Sequence, residues 1–260
     1  MKQLHCSFST ELLFSAPVTN HTFSLMLTPM ESPRQHVLSC HVDVNPTCHL
    51  AQGRDGFGNT VHLGYSNPPH DRLFYGMEAV VETDCSVSDC RSPHPLYKFP
   101  TALTAAGNSL HAFWVRWRLD GATQEEQAIH LMHALYGAFQ YRPGTTGIRT
   151  TAEQALTQGC GVCQDYAHIL LALLRFAHIP CVYVTGLMLG EGQSHAWVEV
   201  FCDGRWLSLD PTHDRIVGED YVKLSQGRDF DDCSIDRGVF RGNGTVTQSQ
   251  TIRAKVEILP

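Results

Sequence analysis

The chain has 260 residues, a formal charge of −7 at pH 7, 43% apolar residues and 17% charged ones. That composition supplies a buried core and excludes a disordered chain, while a negative balance with no Lys/Arg run gives no electrostatic basis for a nucleic-acid or membrane partner. The longest fully apolar stretch, Ile169–Leu174, ends at Arg175, far short of the roughly 20 residues a spanning helix needs.

In chain order, Lys2, His5, Ser7, Ser9 and Glu11 interrupt any secretory apolar run, so a cytoplasmic protein is expected. The ten cysteines are scattered without a repeating spacing, and reduced thiols are the expectation for such a chain. Thr22–Leu27 and Val37–Val44 read as strands between prolines. Asp55-Gly56-Phe57-Gly58-Asn59 reads as a turn, followed by a strand at Thr60–Leu63. Residues 1–84 are thus expected to form a β-rich N-terminal domain. Ser86, Ser88, Ser92, Pro93, Pro95 and Pro100 mark residues 85–100 as a linker, leaving 101–260 as a second domain.

Within that second unit, Thr123 and Glu126 form a capping box. Ile129, Met132, Leu135, Tyr136 and Phe139 then repeat at helical spacing up to Pro143-Gly144. A short helix is expected around Ala152–Leu156. A longer one, from about Cys163 to Ala177, is apolar nearly all round and should be the buried central helix. Three strands follow at Cys181–Met188, Ser194–Cys202 and Arg205–Asp210, the last two joined by an Asp203-Gly204 type I′ turn. Helix first and antiparallel sheet second make an α+β domain.

The hairpin fixes a register. With the turn at 203–204, Trp197 faces Asp210 and His195 is the diagonal neighbour of Asp210, so the three share one face, opposite Val198, Val200, Leu207 and Leu209. Diagonal neighbours lie roughly 7–8 Å apart at Cα, within reach for a carboxylate to hold an imidazole. Gly159-Cys160-Gly161-Val162-Cys163 is a turn feeding the central helix. A thiol in a first helical turn sits at the positive end of the dipole, beside unpaired N–H groups that favour a thiolate and can hold an oxyanion. If the polar face of the sheet packs against that helix end, Cys163, His195 and Asp210 become nucleophile, base and orienting carboxylate.

These residues also carry a resemblance. Gly161-Val162-Cys163-Gln164-Asp165-Tyr166-Ala167-His168, then Ser194-His195-Ala196-Trp197-Val198-Glu199-Val200, then Leu209-Asp210-Pro211-Thr212 resemble, in order and spacing, the three motifs of the transglutaminase-like superfamily. The similarity is greatest to its bacterial branch, whose members are often labelled cysteine proteases. Phe139-Gln140-Tyr141 with Gly144-Thr145-Thr146 resembles the lead-in of that branch. Gly227-Arg228-Asp229-Phe230 and Gly238-Val239-Phe240 resemble its tail, and Asp55–Asn59 its N-terminal β region. The resemblance implies a papain-like core, a catalytic triad of Cys163, His195 and Asp210, and no cofactor or metal. Two departures stand out: Cys160, where the family shows no particular cysteine, and His213, where similar chains often carry Asn. Neither is expected to touch the triad.

The expected reaction is attack of Cys163 on an amide or peptide carbonyl of a protein or peptide substrate, through a thioester. Water as acceptor gives a cysteine protease or amidase; a lysine amine gives transglutamination. The Cys163 backbone N–H is the expected oxyanion donor, with Gln158 and Gln164 as candidates for a second, and Trp197 is expected to pack beside the triad. Three other readings compete. Cys160-Gly161-Val162-Cys163 is a C-x-x-C at a helix start, as in dithiol oxidoreductases, although no βαβ pattern precedes it. Cys85, Cys90 and His94 could contribute to a zinc site but no second motif completes one, and His62, His70, His130 and His133 read as surface or satisfied residues. A catalytically silent interaction module would use the same fold.

Overall fold

A computed structural model describes residues 1–260. The first element is a 24-residue strand, β1 (Lys2–Leu25), along whose first half burial alternates: Leu4, Cys6, Phe8, Thr10, Leu12 and Phe14 point inward. That is the period-2 pattern of a half-buried strand. It is followed by β2 (Gln35–Asn45), β3 (Leu50–Arg54), β4 (Thr60–Ser66) and β5 (His70–Thr83). The first half of β1 pairs with β5, and register shifts around residues 13–22 turn its second half onto β4. The expected Asp55–Asn59 turn is present, with Asp55 Oδ1 accepting from the Phe57 and Asn59 amides at 2.9 Å.

The helical segment contains α1 (Asn108–Trp117), α2 (Gln124–Ala138), β6 (Gln140–Tyr141), α3 (Ala152–Gln158), β7 (Cys160–Gly161) and α4 (Cys163–Phe176). Both bonds of the Thr123/Glu126 capping box are made. The second sheet follows with β8 (Cys181–Met188), β10 (His195–Cys202), β11 (Arg205–Asp210), β12 (Arg215–Ile216) and β13 (Tyr221–Gly227), while β9 (Gly190–Gly192), between β8 and β10 in the chain, joins the first sheet. Its strand order is β12-β11-β10-β8-β13. The hairpin register is the expected one: Cys202 pairs with Arg205, Val200 with Leu207 and Val198 with Leu209. After α5 (Phe230–Cys233), the chain returns to the first sheet as β14 (Asp236–Gly242) and β15 (Gln248–Ile258), antiparallel to β1.

That return corrects the expected organisation. Residues 236–258 lie in the first sheet, so the sheets do not divide at a linear boundary between 1–84 and 101–260. The two sheets also share a core, in which Leu187, Val222 and Leu224 of the second pack with Leu4, Phe8, Leu73 and Val256 of the first. Nor is 85–100 a loose linker. Tyr97 is buried against Trp197 and Trp206, and the Trp206 ring N–H donates to the Arg91 carbonyl at 2.9 Å. Its Ser/Pro composition signals irregular backbone, but a buried aromatic and paired amides dock it on the sheet.

Candidate active site

Cys163 is placed by a short-range device. The Asp165 carboxylate reaches back to accept the Val162 N–H at 2.7 Å and the Thr146 hydroxyl at 2.6 Å, closing the start of α4 one residue before the cysteine. An acid here also complements the helix dipole. Burial pushes the Asp165 carboxyl up in pKa, against the two donors that hold it down. Gly161 is needed for this approach, since a Cβ there would lie 2.3 Å from Asp165 Oδ2. The first-turn amides of Cys163 and Gln164 have no intrahelical carbonyl to reach.

The body of α4 and its first turn relate to the sheet differently. The helix covers the face opposite His195, with Ile169, Leu170 and Leu173 packed among Ala196, Val198, Val200, Leu207 and Leu209. Five apolar side chains on that face outweigh the polar one. His195 and Cys163 meet instead where the start of β10 comes level with the start of α4, and both line one cleft of about 1070 Å³. The face carrying His195 is not merely polar: Val182, Val184, Trp197 and Tyr221 form a small aromatic-aliphatic layer there. Trp197 lies beside His195, ring centroids 6.4 Å apart. Gly186, paired with His195, lets the Trp197 ring pass over the strand, where a Cβ would meet its Cη2 at 2.3 Å.

His195 is buried, and its Nε2 lies 2.8 Å from Asp210 Oδ2. Nδ1 is the ring nitrogen not engaged by Asp210, and Cys163 lines the same cleft. Burial alone would lower the imidazole pKa; the Asp210 carboxylate and Cys163 outweigh it and hold it up at about 9. Asp210 is fully enclosed. Burial would raise its pKa, but the bonds from His195, Tyr221 and His213 keep it well below the usual carboxylate range. Its Oδ1 accepts the Thr212 amide at 2.9 Å and the His213 amide at 3.3 Å. Its Oδ2 also accepts the Tyr221 hydroxyl at 2.6 Å and His213 Nδ1–H at 2.8 Å. The Tyr221 phenol is pushed up in pKa by burial and by Asp210, so it stays a donor, with Arg215 Nε donating to its oxygen at 2.8 Å.

The geometry therefore gathers Cys163, His195 and Asp210. It also corrects one expectation, because His213 does touch this group, through Asp210. A signal was present in the sequence: an Asp at a strand end that accepts the amides two and three residues on turns the following side chains back toward itself. Tyr221 comes from a separate strand and left no such signal. Gln158 and Gln164, the candidate oxyanion donors, turn their amides to the carbonyls of Thr145 and Ile148 at 3.1 and 3.4 Å.

The ligand-type atoms of His195, Asp210 and His213 lie within 4.8 Å of one another. Their N–O separations of 2.8 Å are hydrogen-bond lengths; donor atoms about 2.1 Å from a tetrahedral zinc would stand wider apart. Cys85, Cys90 and His94 do not come together as such a group. Among the other histidines, His62 bonds to Thr28, His70 to His21 and His133 to Asp214. No helix is long and apolar enough to cross a membrane.

Residues 4–82 match the bacterial transglutaminase-like N-terminal region and residues 116–211 the transglutaminase-like superfamily. An uncharacterized protein of Mycobacterium leprae is 31% identical over 94% of this chain and 95% of its own length. One from Mycobacterium tuberculosis is 26% identical over 96% of this chain and 90% of its own. The crystal structure of a candidate cysteine protease from Cytophaga hutchinsonii superposes with a TM-score of 0.79 at 19% identity, covering 100% of this chain and 92% of that one, a likeness of fold. Two matched regions in the expected order and a full-length relative place the chain in the transglutaminase-like superfamily, with the N-terminal region of its bacterial members.

Proposed function

We propose that this protein is a thiol-dependent acyl-transfer enzyme in which Cys163, His195 and Asp210 form a catalytic triad. The observation that carries the reading is the buried imidazole of His195, bonded through Nε2 to Asp210 and lining one cleft with Cys163, which also acts to keep it protonated. An imidazole held protonated to about pH 9 is the counter-ion a thiolate nucleophile needs. The Cys163 sulfur attacks the carbonyl carbon of an amide. The oxygen takes up the developing charge at the first-turn N–H groups of α4. His195 gives its proton to the departing nitrogen, leaving a thioester on Cys163 and free ammonia or amine. Asp210 fixes the imidazole tautomer and steadies the imidazolium.

With water as acceptor, His195 takes a proton from it and the thioester is hydrolysed, as in the cysteine protease the Cytophaga protein is named for. With a lysine amine as acceptor the same thioester gives an isopeptide bond, the reaction that gives the superfamily its name. Hydrolysis is the preferred reading because water needs no acceptor site. The protein or peptide acyl donor is part of this proposal.

The test is site-resolved alkylation followed by a substrate screen. Iodoacetamide labelling of the Cys163 peptide, read by mass spectrometry, should be fast near neutral pH in the wild type and strongly slowed in His195→Ala. Equal rates in the two proteins would overturn the triad. Ammonia release, peptide cleavage and amine incorporation are then compared, each against Cys163→Ala; amine incorporation outpacing cleavage would replace hydrolysis by transfer.

A further inference from the structure

Asp210 serves two imidazoles through one oxygen. His195 Nε2 and His213 Nδ1 each lie 2.8 Å from Oδ2, with ring centroids 5.2 Å apart. His195 is buried, whereas the His213 side chain is 43% exposed on the wall of the cleft. On the reading that Cys163, His195 and Asp210 perform acyl transfer, we propose that His213 is a positioning residue that acts through Asp210. By drawing on the oxygen that His195 uses, it limits the hold on the His195 imidazolium and sets the pH range over which Cys163 is reactive.

The Asp210 carboxylate is held from both oxygens independently of the His213 ring. Oδ1 is fixed by the Thr212 and His213 backbone amides, and Oδ2 is also fixed by the Tyr221 hydroxyl. Removing the His213 ring therefore leaves Asp210 in place and changes only how its charge is shared. Two further carboxyls line the cleft: Glu191 of β9, 3.8 Å from Lys255, and Asp236 of β14, which burial pushes up in pKa. From α4 comes Cys163, and from β13 Tyr221, backed by Arg215, whose guanidinium also bonds Asp220 at 3.0 Å. Beyond His213, Asp214 is paired with His133 of α2. Two imidazoles are left drawing on one carboxylate. With His213 gone, more of the Asp210 charge falls to His195, the imidazolium is held more firmly, and the thiolate–imidazolium pair forms at lower pH.

The experiment is the pH profile of iodoacetamide alkylation at Cys163, read on its own peptide because Cys40, Cys85 and Cys90 are exposed thiols. His213→Leu, with His213→Ala as a second variant should leucine fail to fold, should move the acid limb down by about half to one pH unit, the scale of one hydrogen bond. His213→Asn, whose amide N–H takes the place of Nδ1–H, should keep the wild-type limb. A limb unmoved or raised in the leucine or alanine protein, or moved as far in His213→Asn, overturns the proposal. Failure of the underlying reading is seen separately, as a wild-type profile that persists in His195→Ala.

Discussion

Replacing Asp210 by Asn keeps the shape of the side chain and removes the charge that the His195 imidazolium faces. His195 stands at about 9 against an ordinary 6.5. A difference of that size corresponds to about 3.4 kcal/mol where the imidazole is protonated in both folded and unfolded chains. At pH 7 the unfolded imidazole is already mostly neutral, and about 2.6 kcal/mol remains. Cys163 supplies part of the shift, so these figures are ceilings for Asp210. The depressed Asp210 carboxyl is the same coupling seen from the other partner, with Tyr221 and His213 added, and is not counted again. The raised His195 value makes the contribution complete below about pH 6.5 and lost as pH rises through about 9. The lowered Asp210 value makes its side complete above the ordinary carboxylate range and lost only in strong acid. Guanidinium unfolding of wild type and Asp210→Asn at about pH 6 and about pH 10 separates this from lost hydrogen bonds, which cost the same at both. The variant should lose roughly 2 kcal/mol more at the lower pH. A cost that differs by less than about 0.5 kcal/mol between the two would mean that no such ion pair stabilises the fold.

Three further substitutions probe how the site is placed. Asp165→Ala removes the acceptor of the Val162 amide and of the Thr146 hydroxyl; a loss of about 1–2 kcal/mol and several-fold slower Cys163 alkylation are expected, and an unchanged alkylation rate would free Cys163 from this device. Gly186→Ala puts a Cβ 2.2 Å from the Val222 carbonyl oxygen and 2.3 Å from Trp197, so its melting temperature should fall by several degrees, the scale of an overpacking cost of about 1–3 kcal/mol, with alkylation slowed because Trp197 abuts His195. Thr123→Ala breaks the α2 capping box and should cost about 1 kcal/mol in denaturant midpoint while leaving alkylation at the wild-type rate, since α2 begins away from the cleft.

Much of the site was legible because it depends on local periodicity. The Asp203-Gly204 turn fixes the β10–β11 register, and with it the shared face of His195 and Asp210. The apolar run after Cys163 marks α4 and its exposed first turn. What was not legible came from elements distant in sequence. Tyr221 reaches Asp210 only because β13 adds to the sheet beside β8, a pairing no short-range signal specifies. In β1, the alternation of His5, Ser7, Ser9 and Glu11 with Cys6, Phe8, Thr10 and Leu12 is a strand pattern; the same polar residues were informative only as interruptions of a secretory segment until burial assigned them to one face.

The return of the C-terminus to the first sheet explains why the N-terminal β region bears on the proposed chemistry. β15 pairs with β1 along residues 4–14 and with β9, three residues before His195. Gln248, Gln250, Ile252 and Ala254, alternating residues of β15, line the same cleft as Cys163 and His195, joined by Phe8 of β1. One wall of the cleft thus belongs to the first sheet and the other to the start of α4. The two are held together by the core shared between Leu187, Val222 and Leu224 and the β1 and β5 side chains. Cutting the chain at residue 100 would remove the partner strand of β15 and expose that core, so the expected outcome for residues 101–260 alone is an aggregating or molten chain. A soluble, cooperatively melting fragment that alkylates Cys163 at the wild-type rate would show instead that the second sheet and its helices set the site unaided.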